Sequence, residues 1–268
     1  MPKPTILLVH GAWHTPTHYI PYTTALKSAG YEVYTPHLPT CTGISPPQAT
    51  FADDVACIRT LLTRLVHEGK RILLIMHSYG GCVGTDAVQD LVYPYPRPTT
   101  TSSTSTENGA KKGGVIHLLY LCAYMLLPGE SIQRVMEKTG VDGMWGEFME
   151  DGSDGMTVAR DPGKWFFGGL EEGMIRELVG RLVRFPVGVI RARTEGDAWR
   201  RVPVTYVVTE RDYAVPRMFQ NLMLKEVKRE GVEVQTQVFD TSHSVFLTKL
   251  EEMVDVAVRA AEDQRNVR

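Results

Sequence analysis

Charge of neither sign is in excess in this chain: 29 Lys and Arg stand against 31 Asp and Glu, a formal net charge of -2. A balance so close to neutral gives no electrostatic reason to expect nucleic acid or an anionic membrane surface as a partner. No apolar run reaches membrane-spanning length, so no membrane span is expected. The opening stretch MPKPTILLVHGAW passes straight into a glycine turn and lacks the small-residue cleavage site of an export signal, which makes it a first strand. Cysteine is scarce. Cys41, Cys57, Cys82 and Cys122 lie far apart, and no pair has metal-ligand spacing or forms CxxC. Buried thiols in a reducing cytoplasm are therefore the expectation, with no metal and no cofactor.

The 268 residues, 43% of them hydrophobic, are enough for a sizeable core in one domain. Apolar runs alternate with segments of helical period. Strands are expected at 5–9, 31–35, 71–76, 115–121, 202–209 and 232–239, with helices at 17–29, 51–69, 79–92 and 246–261. Thr50 and Asp53 form a capping pair at the start of the second helix, and Gly69 closes it. The run at 71–76 is continuously apolar, as expected of a parallel strand covered on both faces. Repeated alternation predicts an α/β fold with a mostly parallel central sheet and helices on both faces.

Two stretches interrupt the pattern. Residues 93–114 are rich in Pro, Ser, Thr and Gly and are expected to be a mobile surface insertion, with a partner or regulatory loop as the alternative. Residues 125–199 show short helix signals and no convincing strand, which predicts a helical cap. The core would then comprise residues 1–124 and 200–268.

The chemistry gathers around LLIMHSYGGCVG, Leu73–Gly84. An apolar strand ends, one serine follows, and a helix begins at once. In that context a glycine-flanked serine forms a nucleophile elbow, its hydroxyl held at the tip of a strained turn. Gly80 and Gly81 supply the small downstream residues, but Met76 stands where the motif has its first glycine. The alternative is a serine in an ordinary strand–helix loop.

Three further segments bear on that choice. HGAWH, His10–His14, follows the first strand and can aim the Ala12 N–H at a substrate oxygen. The Tyr79 N–H would be the second donor of an oxyanion hole. His10 itself is expected to shape this loop, and His14 either lines the pocket or faces solvent. VTYVVTERDYAVP, Val204–Pro216, presents Glu210 and Asp212 after a strand. Asp212 is taken as the carboxylate that orients a histidine, with Glu210 turned to solvent or Arg211. FDTSHSVFLTKLEE, Phe239–Glu251, places His243 between the last strand and the last helix, where a general base would stand. His77 is expected to point elsewhere, His117 to be a core histidine, and Asp240 to be a turn or cap acid.

The chain order Ser78, Asp212, His243 resembles the α/β-hydrolase superfamily. HGAWH, HSYGG, the segment Ala198–Val208, the D-x-A-V-P loop and S-H-S-x-F-L are similar to the subgroup of plant methylesterases, hydroxynitrile lyases and related microbial esterases. The resemblance spans nearly the whole chain. It implies an α/β-hydrolase fold with an inserted cap, Ser78 as nucleophile, His243 as base, Asp212 as orienter, and Ala12 and Tyr79 as oxyanion donors. Ser244 stands where the lyases of this group carry lysine, which argues against cyanohydrin cleavage.

The cap segments GMWGEFMEDG and KWFFGG contribute Trp145, Phe148, Trp165 and Phe166. These aromatics are either cap core or the wall of an apolar substrate pocket. The expected activity is hydrolysis of a small-molecule ester or lactone with an apolar or aromatic part. A lyase or carbon–carbon hydrolase using the same triad, and a non-catalytic ligand receptor, are the alternatives. A homodimer is the one protein partnership left open.

Overall fold

The computed structural model of the protein describes residues 2–93 and 113–263. Nine strands are described: β1 Thr5–Val9, β2 Val33–Tyr34, β3 Arg71–His77, β4 Gly114–Leu121, β5 Met149–Asp151, β6 Met156–Ala159, β7 Phe185–Pro186, β8 Val204–Thr209 and β9 Val234–Phe239. Six of them form one sheet in the order β2-β1-β3-β4-β8-β9, with every pairing parallel.

The helices are α1 Ile20–Ser28, α2 Phe51–His67, α3 Gly80–Val88, α4 Ile132–Thr139, α5 Trp145–Phe148, α6 Pro162–Phe167, α7 Glu172–Val179, α8 Arg217–Arg229, α9 Val245–Thr248 and α10 Leu250–Glu262. Successive strand side chains point to opposite faces. Leu7, Val9, Leu74 and Met76 pack with Ile58 and Leu62 of α2, Val83 of α3 and Met223 of α8. Ile6, Leu8, Leu73 and Ile75 pack with Tyr22 and Leu26 of α1 and Met253 and Val256 of α10. Both faces are covered, which is why 71–76 reads as unbroken apolar sequence rather than as an alternation.

Several elements end elsewhere than their patterns suggest. α3 stops at Val88, because Gln89 takes φ 37 and Val92 then bridges to Val115. The last helical stretch breaks at Lys249 into α9 and α10. α8 was not foreseen. It follows Pro216 and buries Phe219, Met223 and Val227.

The expectation of a strand-free 125–199 is corrected. β5, β6 and β7 form a small antiparallel sheet there, beside α4–α7. Strands of two to four residues are too short to print a period-2 signal. Their turn is visible in hindsight as DGSDG: Gly155 takes φ +81, and Gly152 N–H donates to Met156 C=O at 2.7 Å. Arg184 clasps Asp154 in this turn through two 2.7 Å contacts. The expected mobility of 93–114 falls on residues outside the described range, apart from Tyr93, Gly113 and Gly114.

Candidate active site

β3 delivers Ser78 to a turn in which the serine takes φ 55, a left-handed conformation that costs a non-glycine residue strain of order 1–3 kcal/mol. The turn is held by close backbone contacts. A Cβ at position 80 would lie 2.4 Å from Val9 O, and one at position 81 would lie 2.3 Å from Tyr124 O. Two glycines are therefore required. Met76 is accommodated because Gly84, one helical turn on, is equally bare: a Cβ there would meet Met76 Sδ at 2.5 Å. The glycine missing upstream of the serine is thus matched by one downstream.

Asp212 and His243 meet although 31 residues separate them. His243 Nδ1 lies 2.8 Å from Asp212 Oδ2. The carboxylate is fixed by Thr209 Oγ1 at 2.8 Å and by the N–H groups of Ala214 and Val215 at 2.9 and 2.8 Å. These donors fix the aim of the carboxylate. Both of its oxygens act as acceptors, so His243 Nδ1 carries the proton and Nε2 presents its lone pair. That Nε2 is buried and has no hydrogen-bond partner among the described residues. Ser78 Oγ and His243 Nε2 share no hydrogen bond. The loop around His243 is sewn to the cap, with Ser242 Oγ donating to Gly168 C=O and Ser244 Oγ to Phe166 C=O at 2.7 Å.

His77 ties these parts together. Its Nε2 donates to His243 C=O at 3.1 Å, and its Nδ1 lies 2.7 Å from the Tyr19 hydroxyl. Tyr19 in turn accepts the Gly11 N–H at 3.0 Å. One buried chain of contacts therefore joins the loop after β1, the residue before Ser78 and the histidine loop. Cys122 Sγ donates to the same His243 carbonyl at 3.2 Å. His77, Cys122 and His243 place ligand-type atoms within 4.8 Å of one another. These atoms are already committed to hydrogen bonds, and His77 Nε2 carries a proton, so the cluster does not suit a metal ion.

Tyr79, the residue after the serine, is anchored by its hydroxyl to Asp54 at 2.7 Å. Burial pushes the Asp54 carboxyl up, and the Thr40 N–H and hydroxyl, at 2.9 and 2.5 Å, complete its donors. The N–H groups of Ala12 and Tyr79 donate to no protein acceptor among the described residues. Both residues line a cavity of about 500 Å³ that also opens onto Ser78.

Trp145, Phe148, Trp165 and Phe166 all line this cavity, together with Asp212. His14 does not. It is buried, bonds Ala12 C=O at 2.8 Å and packs on Phe166 and Phe167. The expectation of His14 as a pocket residue is corrected: its ring supports the Ala12 loop from beneath. Glu210 faces Arg217 at 3.4 Å rather than Arg211, whose partner is Asp240 at 2.7 Å. His117 is a core histidine bonded to Thr205 at 2.9 Å. Sequence reading did not single out Tyr19, Asp54, Cys122 or Tyr124. The sequence carries no local signal for Tyr19 or Asp54, since the contacts that tie them to His77 and Tyr79 span 58 and 25 residues. Position 124, three residues past the end of a buried strand, was a visible cue.

Residues 6–256 match the model of the alpha/beta hydrolase family. An alpha/beta hydrolase of Aspergillus novofumigatus is 29% identical over 226 residues, 84% of this chain and 85% of that protein. A pyrethroid hydrolase from Sphingobium faniae JZ-2 superposes with a TM-score of 0.72 at 18% identity, over 97% of this chain and 98% of that one. A methylesterase from Arabidopsis does so with a TM-score of 0.68 at 20% identity, over 96% and 98%.

Proposed function

The chain belongs to the alpha/beta hydrolase family, and from that premise we propose that it cleaves a carboxylic ester or lactone through an acyl-enzyme on Ser78. The observation that carries this reading is the strained serine opening into the cavity, together with a histidine whose Nδ1 is held by a carboxylate, whose Nε2 has no partner among the described residues, and whose carbonyl is bound by His77, the residue before the serine.

His243 Nε2 takes the Ser78 proton as Oγ attacks the acyl carbonyl. The new alkoxide accepts the Ala12 and Tyr79 N–H groups, which have no competing partner. Such preorganised donors are worth about 10²–10³ in rate each. Collapse expels the alcohol, which receives the proton from the imidazolium. Water then enters, gives a proton to His243 and attacks the acyl carbon; the C–Oγ bond breaks, Ser78 Oγ takes the proton back from His243, and the acid leaves. Asp212 holds the imidazole in the required tautomer throughout and offsets its positive charge.

Substrate preference follows from the walls. The cavity volume suits a molecule of drug-like size. Its lining is mainly aromatic and aliphatic, with Trp13, Trp145, Phe148, Trp165, Phe166 and Phe185 around the serine. Esters with an apolar or aromatic part fit this surface better than charged ones. The names of the pyrethroid hydrolase and the methylesterase of the same fold agree with this reading.

A panel of p-nitrophenyl esters of graded chain length, run on the wild type and on Ser78→Ala, tests it. Turnover that rises with apolar chain length and vanishes in the folded variant is expected. Turnover that survives in Ser78→Ala, or release of an aldehyde or ketone fragment from test substrates in place of an acid, contradicts it.

A further inference from the structure

Most polar groups in the cavity wall already have partners. The Tyr79 hydroxyl is bound to Asp54, the Trp145 indole N–H to Asp151 at 3.0 Å, and the Trp13 indole N–H to Thr157 C=O at 3.1 Å. Tyr124 differs. It is 7% exposed and lines the cavity, and no hydrogen bond of its hydroxyl is found among the described residues. Two other tyrosines of the same core each have one: Tyr120 meets Thr85 at 2.6 Å, and Tyr206 donates to Ala123 C=O at 2.8 Å.

The position of Tyr124 relative to the nucleophile is fixed. Its N–H donates to Ser78 C=O at 3.0 Å, and its carbonyl is pressed against Gly81 at the start of α3. The bend that brings it there passes through Cys122 at φ 38. Burial raises the phenol's pKa, so it stays a neutral O–H donor. A donor left dry in an apolar site disfavours a purely apolar ligand and favours one that brings an acceptor.

We propose that Tyr124 is a substrate-recognition residue, whose hydroxyl donates to a second oxygen of the substrate (a carbonyl, hydroxyl or ether) a few bonds from the scissile carbonyl. The substrate class is thereby narrowed from apolar esters to apolar esters or lactones that carry one further acceptor near the reacting group. This rests on the ester-hydrolase reading of Ser78.

The test compares kcat/KM within matched pairs, for the wild type and for Tyr124→Phe. One pair is p-nitrophenyl hexanoate against its 4-oxo and 5-oxo derivatives, which varies the acyl side. The other is butyl benzoate against 2-methoxyethyl benzoate, which varies the alcohol side. The wild type should prefer at least one oxygenated member, and Tyr124→Phe should reduce that preference about tenfold, the scale of one neutral hydrogen bond in a dry site. An unchanged preference in the variant, or no oxygenated member preferred by the wild type, overturns the proposal while leaving the hydrolase reading intact. Failure of the wild type to hydrolyse any member overturns both.

Discussion

Lowering the pH from 8 to 5.5 should remove roughly 3 kcal/mol of folding stability, mostly through three buried histidines. Burial is the largest cause in each case. It lowers His10 to about 3 and holds His14 and His77 well below the ordinary 6.5. In His10 and His77 hydrogen bonds also engage the second ring nitrogen as an acceptor, whereas His14 is held neutral by burial and its histidine neighbours. His10 Nδ1 donates to Gly11 C=O at 2.9 Å while its Nε2 accepts the Leu38 N–H at 3.0 Å, so a second proton has no room. His14 Nδ1 is used on Ala12, and His77 Nε2 on His243. Neighbouring His18, His37 and His243 would repel any added charge.

The sign follows from proton counting. Below pH 6.5 the unfolded chain protonates these rings and the folded chain does not, so stability falls as pH falls. One unit below 6.5 each ring contributes about 1.4 kcal/mol of loss, about 4 kcal/mol for three. Asp86 works the other way. Burial raises it from 3.8 to about 6, so the folded chain gains a proton that the unfolded one refuses, and about 1 kcal/mol is recovered by pH 5.5.

The assay is urea unfolding at pH 8, 7, 6 and 5.5 at fixed ionic strength. His10→Asn, whatever its overall stability, should lose about 1.4 kcal/mol less across that range. Stability flat to within about 1 kcal/mol between pH 8 and 5.5 would refute the reasoning.

Further perturbations probe separate parts of the site. Gly81→Ala drives a Cβ to 2.3 Å from the Tyr124 carbonyl; a fall in melting temperature of about 10 °C or more is expected by thermal scan, with activity lost in parallel. Asp212→Asn keeps the shape but favours the wrong imidazole tautomer, so steady-state kinetics should show kcat lower by about 10³–10⁴ with KM little changed. Tyr79→Phe strips one of the three donors from buried Asp54, and denaturant titration should read a loss of about 1–3 kcal/mol. Phe148→Ala removes an apolar wall residue; KM for long-chain esters should rise about tenfold, with acetate esters much less affected.

The parts of the fold that sequence made legible are those where one local rule governs. β1 matches its apolar run residue for residue, and Thr50 with Asp53 caps α2 as expected, Asp53 accepting the Thr50 N–H at 2.7 Å. Asp212 was readable as one of two acids, with Glu210, in the loop after β8, and of the two it is the one the fold sets 2.8 Å from His243 Nδ1. The cap sheet was hidden because its strands, of three, four and two residues, span at most two periods of their own signal. The roles of Tyr19 and His77 were hidden for a different reason. His77 donates to a carbonyl 166 residues away, a contact that depends on three-dimensional closure and leaves no spacing in the chain. His14 misled because a second histidine in HGAWH suggests chemistry, whereas the fold buries its ring beneath the loop it supports.

The account stands on Ser78 being a nucleophile activated by His243 and Asp212. Treatment with a fluorophosphonate, followed by peptide mass spectrometry, tests this directly. The expected result is one covalent adduct per chain, on the peptide and residue of Ser78, absent in Ser78→Ala and formed far more slowly in folded His243→Ala. An unmodified wild-type chain, or an adduct formed as fast without His243, would contradict it.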